Sequence, residues 1–166
     1  MLHSVFLASA WKPRWLRLSS AMALNLLKLC VGAASIDDLV QWQAGRLAEA
    51  RRARQPDEIF HTTRMVPKRV SELVDGGSLY WVIKGQIAAR QNLLEVRPFT
   101  DTDGIGRCRL VLGHAVTPVL PRPFRAFQGW RYLAAKDAPL DIGGGTADVA
   151  QMPEPLRREL AELGLL

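Results

Sequence analysis

The sequence predicts an α+β domain: a curved, mostly antiparallel sheet or small barrel with one long N-terminal helix and several short ones. Three observations lead there. Residues 35–54 carry apolar side chains at helical spacing, with acids at the start and arginines at the end. Between residues 59 and 133, strand-like runs rich in β-branched and aromatic residues follow one another closely. The links between the later runs are too short for helical crossovers, so those strands should pair antiparallel.

The first element is a short apolar run, Leu24, Leu26, Leu27, Leu29 and Val31, ending at Gly32 and read as a buried strand. Lys28 interrupts it. Ser35 then opens the long helix, with Asp38 three residues on as a variant capping box. Ile36, Leu39, Val40, Gln43 and Leu47 mark its inner face, flanked by Trp42 and Arg46. After the turn at 55–57, "IFHTTRMV" (59–66) reads as a strand. Pro67 suits the first turn of a short helix with Val70, Leu73 and Val74 inward, which Gly76 and Gly77 stop.

"SLYWVIKG" is a strong strand, with Tyr80, Val82 and Lys84 opposite Leu79, Trp81 and Ile83. "QIAARQNLLEVRPF" continues as one bent strand or as a hairpin. "RCRLVLG" is another strand, with Cys108, Leu110 and Leu112 on one face. The prolines of "HAVTPVLPRPFRAF" confine it to a sheet edge or an extended loop. "QGWRYL" reads as one last short strand. Residues 134–153 form a Gly/Pro-rich connector to a short helix that Pro155 opens and Gly164 ends.

A chain of 166 residues, 48% hydrophobic and 23% charged, is an ordinary single domain, here 22–166. Residues 1–21 read as a disordered tail or an over-called start, with a presequence as the alternative. Half of the net charge of +6 lies in that segment. No apolar run is long enough to span a bilayer. Cys30 and Cys108 have no nearby partner, which suits free thiols in the cytoplasm; a single bridge between them is left open.

The stretch "LDIGGGTADVA" (140–150) looks like a phosphate loop of the actin and Hsp70 ATPases. No strand precedes it, proline follows it, and the second lobe of such a molecule has no room here, so it reads as a connector. "DTDGIG" (101–106) starts like a calcium loop but has Ile105 and Leu112 where ligands belong, and reads as a β-turn. No spacing of ligating residues offers a metal site, and no cofactor is expected.

Two stretches carry the functional expectation. "HTTRMVPKR" (61–69) sets His61, Arg64, Lys68 and Arg69 around a helix start, a group suited to phosphate or carboxylate. "RPFRAFQGWRYL" (122–133) interleaves arginines with rings, so that Phe127, Trp130 and Arg131 could stack on bases. Arg97, Arg107 and Arg109 from neighbouring strands would extend one basic face. The alternative is that the cations are solvated or ion-paired and the rings are core.

"MALNLLKLCVG", "FHTTRMVPKR", "GGSLYWVIKG", "LLEVRPF", "RCRLVL" and "FQGWRYL" occur in this order, and the chain from about Met22 onward resembles the bacterial domain of unknown function numbered 1489. That resemblance implies no activity and no catalytic residue. The order of elements is also similar to PUA-like and ASCH-like barrels, which implies an RNA or modified-nucleotide ligand. The leading expectation is therefore a small binding domain for RNA or a nucleotide-like anion. The alternatives are a small enzyme on an anionic substrate, with His61 as acid or base, and a structural or protein-partner domain. The balance leans away from an enzyme, since no nucleophile motif is present.

Overall fold

The computed structural model describes residues 23–142 and, beyond them, the exposed helical positions Pro155, Glu159 and Glu162. The expected tail, the glycine run at 143–145 and most of the expected C-terminal helix lie outside the described residues.

Seven strands and two helices follow in the order β1 (Asn25–Leu29), α1 (Ile36–Arg52), β2 (Ile59–Thr63), α2 (Val70–Val74), β3 (Ser78–Ile83), β4 (Gln86–Thr100), β5 (Gly106–Leu112), β6 (Thr117–Pro123) and β7 (Trp130–Leu133), before a 3-10 turn at Ala135–Asp137. They form one mixed sheet in the order β2-β5-β4-β3-β1-β7, with β6 also on β4. The curved-sheet expectation holds, and the sheet is not closed into a barrel. Every pairing is antiparallel except β1 with β3, which α1, β2 and α2 separate in sequence.

β4 is the hinge of the architecture. It is one 15-residue strand rather than a hairpin. Its first half pairs with β3 and β6, its second half with β5. The register shifts between Leu93 and Glu95, leaving Leu94 unpaired and exposed, and this bulge lets one strand serve both halves of the sheet.

β3 lies between β4 and β1 and is buried on both faces. Its alternation is as the sequence indicates. Leu79, Trp81 and Ile83 join a core with Leu26, Leu39, Leu73, Cys108, Leu110 and Leu112. Tyr80 and Val82 join a smaller core with Leu27, Ile87, Val119 and Leu133, against which Phe124 and Phe127 of the β6–β7 link pack. The inner face of α1 is narrower than expected, because Leu39 and Gln43 are buried while Val40 is exposed.

α1 begins as its sequence prescribes. The Ser35 hydroxyl accepts from the Asp38 N–H at 3.1 Å, and the Asp38 carboxylate reaches back to the Ala34 N–H at 3.0 Å. α2 is shorter than expected, and only Leu73 is fully inward. Gly77 follows it in a place no other residue fits, since a Cβ there would collide with the carbonyl oxygens of Leu73 and Leu24.

Candidate functional site

β1 places its even-numbered side chains on the larger core. There Lys28 stands in register with Trp81 of β3 on one side and Trp130 of β7 on the other. Cys30, two residues on, shares that side by strand alternation. Where β1 runs toward α1, opposite β2, a cleft of 220 Å³ opens, lined by Lys28, Cys30, Gly32, Leu39, Trp42, His61 and Trp81 among others. No carboxylate among the described residues lines it.

The charges in this cleft are unbalanced. His61, half-buried, meets the Trp81 ring edge to face at 6.0 Å between centroids. Burial first, and then the positive charges of Lys28 and Arg46, push its imidazole down from 6.5 to about 4, so it is neutral at pH 7. Burial lowers the Lys28 ammonium as well, against a smaller opposing pull from Cys30. The Cys30 thiol is pushed up by burial and stays protonated, although Lys28 and the Ala33 backbone pull the other way. Arg46, one helical turn beyond Trp42, holds its guanidinium 5.0 Å above the Trp42 ring and 5.6 Å from that of Phe60.

The floor of the cleft is rigid. The Trp81 indole N–H donates to the Gln91 carbonyl oxygen at 2.8 Å. Gln91 and Gln43 exchange amide hydrogen bonds of 2.8 and 2.9 Å, and the Gln91 NH₂ also reaches the Gly113 carbonyl at 2.9 Å. Both glutamines are buried, and Gln91 spends both of its amide hydrogens and both acceptor positions on Gln43, the Gly113 carbonyl and the Trp81 indole.

Of the residues expected to bind or react, only His61 lines this cleft. The others fall in three separate places. Arg97 is held between Glu58 at 3.1 Å and Glu95 at 2.7 Å, and Arg109, in register with it, has its guanidinium 4.6 Å from the Phe60 ring and 5.0 Å from that of Phe99. At the start of α2, Arg69 pairs with Glu72, and the Lys68 and Arg69 N–H groups donate to the Tyr132 hydroxyl; Arg64, exposed, follows β2. On the β6–β7 side, Arg131 lies 4.8 Å over the half-buried Phe127.

Trp130 is buried, and its indole N–H donates to the Met65 carbonyl at 2.7 Å. At 8% exposure and as a member of the larger core, it leaves little ring for the stacking expected of it. The group His61, Arg64 and Trp130 does not share one pocket.

The other motifs resolve plainly. Asp141 makes two 2.6 Å hydrogen bonds with the half-buried Arg90, a structural clamp rather than a nucleotide contact. Asp101 and Asp103 both hold Arg107, at 2.8 and 2.6 Å, in a turn between β4 and β5. Cys30 and Cys108 are free thiols, and Cys108 is fully buried. Among the described residues no cluster of ligating side chains could hold a metal, and no helix is long and apolar enough to cross a membrane.

Sequence reasoning missed Lys28, Trp42 and Trp81 as site residues. The signal for Lys28 was present, a lysine inside a buried apolar strand, where a charge is costly without purpose.

A family model described as "Protein of unknown function (DUF1489)" matches residues 26–166. The chain belongs to this family. No curated protein and no solved structure matches it. The DUF1489 match begins within β1, so it takes in Lys28 and every other residue of the cleft.

Proposed function

We propose that this DUF1489 protein is a small binding domain for a flat, nucleotide-like anion, and that the cleft between β1, α1 and β2 is where it binds. One observation carries the reading: Lys28 and a neutral His61 face an indole-walled cleft that no carboxylate among the described residues lines. A negative group entering there favours the ammonium form of Lys28 against the burial that disfavours it, because a nearby opposite charge stabilises the charged state. The neutral imidazole offers one donor and one acceptor, and the exposed Trp42 ring offers stacking surface, with the buried Trp81 closing the inner end of the cleft.

At 220 Å³ the cleft is below the roughly 300–1,000 Å³ of most ligand pockets, so it suits one ring system with its acid group. An unpaired base of single-stranded RNA presents the same chemistry when it is turned out of the stack. The two free thiols fit a reducing, cytoplasmic setting. Catalysis by His61 is the weaker reading, because a group near 4 is no acid and a poor base at neutral pH.

The test is a titration of the full chain with a 5′-mononucleotide, followed by tryptophan fluorescence. Lys28→Met should weaken binding roughly ten- to hundredfold, the loss expected for a charge-assisted hydrogen bond. Lys68→Met, on the exposed turn, should change it by less than about twofold. Equal affinity in wild type and Lys28→Met would remove the cleft from consideration.

A further inference from the structure

Lys28 is placed for more than attraction. Its side chain leaves β1 on the interior side of the sheet, between the registered positions of Trp81 and Trp130, and ends in the cleft. It makes no ion pair with any described residue. The other three described lysines, Lys68, Lys84 and Lys136, are exposed. A half-buried lysine in a cleft that no carboxylate among the described residues lines has its ammonium form disfavoured, the condition under which lysine acts as a nucleophile on carbonyl carbon.

We infer that Lys28 is a nucleophilic amine that captures a flat, anionic aldehyde or ketone as an imine within this cleft. This rests on the anion-binding reading above and names the class of ligand for it. The Lys28 Nζ gives one proton to water, and its lone pair then forms the C–N bond while the carbonyl π pair moves to oxygen. The oxygen takes up one proton that the nitrogen gives up in forming the carbinolamine and one returned from water through the open mouth, and leaves as water as the nitrogen lone pair forms the C=N bond. The product is a protonated imine, so an ammonium and a carbonyl become an iminium and water, with charge conserved and no oxidant or reductant consumed.

The surroundings suit each stage. The burial that lowers the ammonium favours the free amine. The indole of Trp81, fixed by Gln91, closes the inner end of the cleft, and the exposed Trp42 ring gives a flat carbonyl compound a surface to lie against. Cys30, kept as a thiol, does not compete as a thiolate for the same carbon. His61, neutral, can accept a hydrogen bond from the carbinolamine hydroxyl without adding a third positive charge.

The experiment treats the full chain with 4-formylbenzoate, a flat anionic aldehyde, then with borohydride, and locates the added mass by peptide mapping across all five lysines. A parallel titration uses 4-(hydroxymethyl)benzoate, which has the ring and the charge but no carbonyl. The expected result is labelling of Lys28 at least tenfold above each of Lys68, Lys84 and Lys136, abolished at that position in Lys28→Arg. Labelling spread evenly over the lysines, or confined to the exposed ones, overturns the imine proposal. If the alcohol quenches tryptophan fluorescence saturably while Lys28 stays unlabelled, the cleft binds anions and Lys28 is no nucleophile. If Lys28 is labelled selectively but the alcohol does not bind, the imine stands and the anion reading fails.

Discussion

A histidine held neutral beside two cations makes folding sensitive to acid in a defined window. The unfolded chain protonates His61 near 6.5, whereas the folded chain does so only near 4. Between those values the unfolded state binds more protons, so the contribution of His61 to stability is whole above about 6.5 and is lost as the pH falls toward 4. Urea midpoints at several pH values should therefore drop less steeply through this window in His61→Gln than in the wild type. Parallel slopes in the two proteins would contradict the buried, neutral imidazole. Lys28 itself stood out in the sequence only as an interruption. What makes it a site residue is its cross-strand neighbours at positions 81 and 130, and no local pattern announces a pairing over such separations.

The long helix and the strands differ in how far their sequences explain them. α1 carries its own cap and end charges, and its boundaries in the structure fall within two residues of those the pattern indicates. β3 and β5 keep the alternation read from their residues. β4 admitted two readings, because the bulge at Leu94 looks locally the same as a turn and only pairing with both β3 and β5 decides between them. What locks α1 to β4 is the Gln43–Gln91 pair, of which the helical pattern gave one half. Gln91→Leu strands the Gln43 amide and the Trp81 indole N–H in the interior. It should cost about 3 kcal/mol or more, since each buried unpaired group costs roughly 1–3 kcal/mol. Chemical denaturation measures this, and a loss below about 1 kcal/mol would mean that water already satisfies the pair. Gly77→Ala should be comparably damaging, because the new methyl meets backbone carbonyls that cannot swing aside.

At the scale of the whole sheet, the arginines expected to form one basic face are, among the described residues, engaged in separate places. Arg97 and Arg69 are ion-paired, Arg109 is stacked between rings, and Arg131 lies on Phe127. Composition reports charge but not the acids that the fold brings alongside it. The antiparallel order of the later strands was readable from short connections, whereas the parallel β1–β3 pair was not, because two helices and a strand intervene. The sheet's last described segment is tied back through Arg90 and Asp141, and Asp141→Asn should lower global stability by about 1–3 kcal/mol, as expected for weakened charge-assisted bonds. A thermal melt unchanged by Asp141→Asn would show that this clamp contributes nothing.

The most direct measurement is chemical-shift mapping of the full chain during titration with a 5′-mononucleotide. Saturable shifts at the His61 imidazole and the Trp42 indole, absent in Lys28→Met, are the predicted result. A ligand that moved the signals of Phe127 and Arg131 while leaving His61 and Trp42 still would contradict the account.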